Sequence, residues 1–492
     1  MQLMVTHALI LILTALSLVL SPGSATFSQT PQTTRPADFH VDFFPVAPYH
    51  IGDVLSARVT YTGLAEIGGV EIDLALVDRP DQVLGTTTFS SYNRQAVFYW
   101  FFDTHETKPG FLDFRFSLPA RGISWTQGVH LLPDSGSRDT AWAVSHSQCC
   151  TLHYLTGTDA EADLEQITET VEERSAIALS QFAAAGVFDE SPLTDPLSIV
   201  LIPVVVGHGG FATHEAVLTY AEDNWTGIEF GILAHHEMVH VIDRLVNTEG
   251  PRPAIFVEGL AVYLSGGHYR EGDPLQRAAA LLALDMYLPL SQIVNNFYAA
   301  QHEIGYMQAA ALVAYLDQLW GWETFINFYF NLPEGPSDAE IISTALAARF
   351  GLDLAVLEQD FITYLEALEP DPAVEADVRL TVEAYDMLRH YQTLLIPSAH
   401  FRTAWWPPLS AMREGSIVGD YGYREKAPLN VIIEHIFIEV HAAFAAKDYQ
   451  GLESALGRIN TILGEIENKD ANRSHYAIGW PIKRNPVPHN RP

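Results

Sequence analysis

Cysteine is almost absent from this 492-residue chain: there are two, Cys149 and Cys150, side by side. No disulfide framework can staple such a fold, so apolar cores must hold it. The two sulfurs read as partly buried thiols; the alternative is a vicinal disulfide, which closes only a small, strained ring. Basic residues are also scarce. Lys and Arg total 27 against 60 Asp and Glu, a formal charge of -33. Nucleic acid and anionic membrane surfaces both need a basic footprint, so neither is expected as a partner. The sequence holds no phosphate-cradling glycine loop, no serine-nucleophile elbow and no internal repeat. Apolar residues, by contrast, are plentiful. At 48% hydrophobic and 18% charged the chain is not a disordered one. Its length has room for about three domains at ~100–200 residues each.

The N-terminus carries an apolar run, Ala8 to Leu20, bounded by Ser21-Pro22 and the small residues Gly23-Ser24-Ala25. A bilayer span takes about 20 residues. The run is shorter than that and reads as a signal peptide over 1–25, although no Lys or Arg precedes it. The expected location is secreted or extracytoplasmic, or membrane-anchored through this segment if it is not cleaved. Residues 26–38 read as a linker. Nothing in the pattern sets an oligomeric state.

The expected architecture is multidomain α+β. From 39 to 135, short alternating apolar runs are punctuated by Gly52-Asp53, Pro80-Asp81 and Lys108-Pro109-Gly110. Strands are predicted at Val54 to Tyr61, Val70 to Val77, Ala96 to Phe102 and Phe111 to Phe116. This spacing suggests an immunoglobulin-like β-sandwich; the alternative is that the strands belong to a larger catalytic sheet. From 141 to 370 the pattern changes to a strand at Cys150 to Leu155, a helix at Asp159 to Ala185, a buried strand at Leu197 to Val206, and then helices. Residues 371–468 read as a helical C-terminal domain and 469–492 as a tail.

The chemistry concentrates in His236-Glu237-Met238-Val239-His240. Apolar residues around it fall at helical spacing, and residues four apart share a helix face. His236 and His240 can therefore offer two imidazoles to one cation. Glu237, one step round the helix, can reach a metal-bound water without joining the metal, as a general base must. A second short helix follows at Ile255 to Leu264, with Glu258 18 positions after His240. Helix, turn and antiparallel helix would return that carboxylate over the imidazoles. Two His and one Glu leave a fourth position of zinc open, as catalytic sites do. Gly259 removes a side chain where helices must approach closely.

HEMVH followed by EGLAVY resembles the gluzincin zinc metallopeptidases, of the thermolysin and aminopeptidase N type. The resemblance covers roughly Ala141 to Leu368. It implies a thermolysin-like catalytic domain, Zn2+ held by His236, His240 and Glu258, and a peptide or protein substrate. It implies Glu237 as the base and Tyr306, in the segment Ile304 to Ala310, as the donor to the developing oxyanion. It also implies that Gly210, Phe211, Ala212 and Thr213 form an edge strand that pairs with substrate backbone. Thr213 stands where the aminopeptidase branch has the Glu that holds a free α-amine, and Gln308 where it has Lys. Glu215, two residues on, is a substitute for that Glu. The leading expectation is a secreted zinc metallopeptidase. The alternatives are a catalytically inactive, peptidase-like extracellular binding protein and a zinc hydrolase of a non-peptide amide. His435 and Glu439 are also four apart, near Glu434 and His441, but their interleaving with Ile432, Ile436 and Phe437 reads as a solvated helix face. Trp405 to Pro408 read as a packing element.

Overall fold

The computed structural model describes residues 35–473, apart from 46, 92, 134–139, 189–192, 194, 206–208, 248–249, 269, 397–408 and 420–427. The signal-like run, most of the linker, His208 and Trp405 to Pro408 lie outside the described residues. The fold is mixed α+β, with three sheets and a helical C-terminal region. It parts into two compact units near residue 134.

In the first unit the alternating runs become strands. They are β1 (Phe39–Phe44), β2 (Tyr49–His50), β3 (Val54–Tyr61), β4 (Glu71–Leu76), β5 (Arg79–Thr88), β6 (Gln95–Asp103), β7 (Gly110–Leu118) and β8 (Ile123–Leu132). One sheet has the order β1-β3-β6, the other β2-β8-β7-β4-β5. Leu55, Val59, Phe98, Phe116 and Trp125 of both sheets share one core. Trp125 is fully buried and stacks on Phe116 at 5.3 Å. Pro80-Asp81, expected as a turn, instead opens β5, an exposed edge strand; the reversal is one step earlier, since Leu76 pairs with Arg79. An edge position tolerates a proline that has no N–H to offer the ladder.

The second unit has a mixed sheet of β9 (Trp142–His146), β10 (Cys150–Leu155), β11 (Leu197–Ile202), β12 (Gly210–Ala212) and β13 (Ala216–Thr219), in the order β12-β13-β11-β10-β9. The three inner strands are parallel and buried; β9 and β12 run antiparallel at the edges. Cys149 and Cys150 are joined as a disulfide rather than standing as two thiols. The helices longer than eight residues are α1 (Leu164–Ala184), α2 (Phe230–Val246), α3 (Ala254–Ser265), α4 (Pro274–Ala283), α5 (His302–Trp320), α6 (Trp322–Phe330), α7 (Asp338–Phe350), α8 (Leu354–Glu366), α9 (Pro372–Leu395), α10 (Pro428–Ala446) and α11 (Tyr449–Arg473). Leu388 and Tyr391 of α9, Phe437 of α10 and Leu456 of α11 enter the same core as Met238 of α2 and Leu260 of α3. The C-terminal helices thus share this core. By length and composition α10 could cross a membrane, but Ile433, Phe437, Val440 and Phe444 bury it in that core.

Candidate metal centre and active site

The site begins with α2. Glu229 caps it, accepting from the N–H groups of Gly231 (3.0 Å) and Ile232 (2.7 Å). A side-chain acceptor there satisfies two donors that the first helical turn leaves open. From Gly231 to Asp243 every residue of α2 is buried, so HEMVH lies inside the unit. His236 and His240 are one turn apart, and their Nε2 atoms face each other at 3.0 Å.

Helix α3 supplies the third group. Its Glu258 places Oε2 3.2 Å from Nε2 of His240 and 3.5 Å from Nε2 of His236. Gly259 is needed next to it because α3 lies against α5: a Cβ there would stand 2.5 Å from the carbonyl oxygen of Ala309. Two imidazole nitrogens and one carboxylate oxygen thus converge within 4.8 Å, all on buried residues. Two facing nitrogens cannot both be acceptors toward each other, so the arrangement calls for a proton or a cation between them. The donor set is the one that Zn2+ takes in catalytic sites.

The electrostatics follow from burial. Loss of water drives His236 down to about 3, with Glu258 pulling against the shift. His240 feels the same burial, yet the charge and hydrogen bond of Glu258 raise it. Burial also works on Glu258, but His240 and His236 hold its carboxyl well below the usual range. Glu237 is buried without a direct partner for Oε2. Desolvation pushes it up to about 8; His240 opposes the shift and Glu258 adds to it. A carboxyl poised near neutrality and adjacent to the candidate metal ligands is suited to take and return a proton.

Strand β12 touches this base. A Cβ on Gly210 would lie 2.7 Å from Oε1 of Glu237 and 2.9 Å from the carbonyl oxygen of Val217. Gly210, Phe211 and Ala212 pair with β13 and form an edge strand of the sheet among the described residues. Thr213 falls in the turn after the strand, where its N–H meets the carbonyl of Glu215 at 2.9 Å. Glu215 is engaged elsewhere, by Ser198 at 2.7 Å and by Arg413, so it does not serve as the substitute for the missing amine-binding Glu. His235 turns off the metal face, with Nε2 2.9 Å from Oε1 of Gln181.

Tyr306, on α5, is buried with its ring 6.2 Å from that of His236. Burial, then Glu258, keep its phenol well above the ordinary value, hence protonated. Gln308 is a structural clamp: its amide accepts from the N–H of Leu288 and donates to the Leu288 carbonyl, both at 2.8 Å.

Two groups escaped the sequence. Tyr298 donates to Oε1 of Glu258 at 2.6 Å while its ring stays 67% exposed, on a surface segment with no motif. His268, just past the C-terminus of α3, lies 5.4 Å from His236 ring to ring. The only sequence signal for it was its place after the Gly266-Gly267 stop. The helix α10 candidates disperse instead. His435 bonds its own Val431 carbonyl at 2.8 Å and Glu439 pairs with Arg458, both at the surface. Glu434, expected in solvent, is buried and accepts from Tyr391 at 3.2 Å.

Comparison with known proteins adds little to this geometry. No family model and no curated protein matches the chain. Among solved structures it is similar to an aminopeptidase N family protein from Idiomarina loihiensis, at 12% identity and a TM-score of 0.31, over 66% of this chain and 75% of that one. A likeness of that size carries no argument about function.

Proposed function

We propose that this chain is a secreted or surface-retained zinc metallopeptidase, with an immunoglobulin-like domain over 39–135 followed in sequence by a gluzincin-like catalytic region over 141–370 and the helices of 371–468. The observation that carries the reading is the convergence of His236, His240 and Glu258 with the buried, unpartnered oxygen of Glu237 beside them. His236, His240 and Glu258 would hold the metal. Zinc, once bound, supplies a Lewis acid that polarises a carbonyl and makes water acidic.

The chain's own residues do the rest. Glu237 takes a proton from the attacking water and passes it to the amine nitrogen as the C–N bond breaks. Tyr306, kept protonated, is the donor assigned to the developing oxyanion. The edge strand β12 aligns an extended peptide by backbone pairing, and Gly210 lets that strand lie directly against Glu237. Tyr298 orients Glu258 through its hydrogen bond. Thr213 brings no carboxylate and Glu215 is held by Ser198 and Arg413, which favours internal cleavage over terminal trimming.

The test is peptide cleavage before and after a chelator. Activity should disappear on chelation and return with zinc. Cleavage indifferent to chelation would refute the metal mechanism. Zinc binding with no cleavage of any peptide would move the assignment to a peptidase-like binding protein.

A further inference from the structure

We infer that the chain has a second divalent-cation site, formed by His268, His302 and Glu303 and separate from the HEMVH ligands. The three residues come from two elements. His268 sits in a tight turn after α3, closed by the Gly267–Glu271 bridge and by the Ser265 hydroxyl on the Gly267 carbonyl (2.7 Å). His302 and Glu303 open α5, whose first turn is capped by Gln301. Nδ1 of His268 and Oε1 of Glu303 are 2.9 Å apart, and one donor atom from each of the three residues lies within 4.8 Å of the others.

Charge supports the inference. Glu303 is 1% exposed, and a buried carboxylate needs a countercharge. Two guanidiniums that line the same cavity are committed elsewhere: Arg277 and Arg270 both meet Asp377, at 2.7 and 3.3 Å, and Arg270 also lies over the Phe444 ring. Glu303 is instead close enough to Asp386 for the two carboxylates to repel each other. A cation at His268, His302 and Glu303 would answer both charges. Two imidazole nitrogens and one carboxylate oxygen are borderline donors, which suit Zn2+ at ~2.0–2.2 Å; Ca2+ and Mg2+ want about six oxygens. A cavity of about 20 Å³ beside His268 and Glu303 has room for one water as a fourth ligand.

The position gives the ion a role. The rings of His268 and His302 lie 4.3 and 4.1 Å from that of Tyr306, and His302 is one turn before it on α5. An ion here would tie the turn after α3 to the start of α5 and so hold Tyr306 in place. The proposal stands on its own residues and does not require the peptidase reading.

The test is zinc stoichiometry by elemental mass spectrometry on the purified protein, dialysed against zinc, with His240→Ala, His302→Gln and the double variant beside it. Two ions are expected in the wild type, one in each single variant and none in the double. Glu303→Gln replaces His302→Gln if that variant fails to fold. One ion in the wild type, lost with His240→Ala, would overturn this site and leave the HEMVH site standing. One ion that His240→Ala keeps and His302→Gln loses would do the reverse. Two ions retained by His302→Gln would overturn the assignment of these ligands.

Discussion

Helices α2 and α10 carry similar ingredients: a histidine and a partner four residues on, glutamate beside them and an apolar face. Only α2 makes a site. Its His236 and His240 point one way, into a buried space that Glu258 enters from α3. On α10 the groups radiate: His435 and Glu439 face solvent, Glu434 faces Tyr391, and His441 fills the place where a side chain at Gly227 would stand. The difference lies in what packs opposite. A spacing of four puts two ligands on one face, but a metal centre needs a third group from another element and a surround that excludes water.

The contrast can be broken most sharply at the ligands. His240→Ala should weaken zinc binding by more than the ~10–100-fold typical of losing an outer partner, whereas His435→Ala should not change it. A competition titration with a chelating dye reads both; equal effects would erase the distinction. Next in size is Tyr298→Phe, which removes only the hydrogen bond to Glu258. Zinc affinity should fall ~10–100-fold, the loss expected for an orienting partner; unchanged affinity would make Tyr298 a bystander.

Smaller effects separate packing from chemistry. Gly210→Ala presses on Glu237 and Gly227→Ala on His441. Each should cost about 1–3 kcal/mol in urea unfolding, as overpacking does. Only Gly210→Ala should also lower turnover of the folded enzyme. The smallest signal is in pH. Burial takes His441 down to about 3, with Arg270 adding to the shift, below the ~6.5 of an unfolded chain. The folded state therefore binds fewer protons, so the contribution of His441 to stability is complete above about pH 6.5 and is lost as pH falls toward about 3. Urea midpoints measured across that window should fall, and His441→Gln should flatten the fall. His236 acts in the same sense, and zinc, which needs its neutral form, should steepen the effect on α2 and not on α10.

Much of the metal site was readable because it is local. HEMVH is one helix turn, and Glu258 follows after a turn short enough to force an antiparallel return. Strands β3 and β10 were readable from their period of two. Tyr298 and His268 were not, because they reach the centre from loops whose course only the packed structure fixes. The start of β5 at Pro80 was misread because proline marks turns and sheet edges alike. The composition change near 371 coincides with a capped helix start at Asp371. Composition does not tell an apolar face that closes its own core from one that joins a neighbour's.

The central claim is that α2 carries a working general base, and Glu237→Gln tests it most directly. Both proteins, loaded with zinc, would be given a mixture of unstructured peptides and the products read by mass spectrometry. The account predicts internal cuts by the wild type, a ~10²–10⁴-fold lower rate for Glu237→Gln, and undiminished zinc in the variant. Equal cleavage by the two proteins, with equal zinc content, would contradict it.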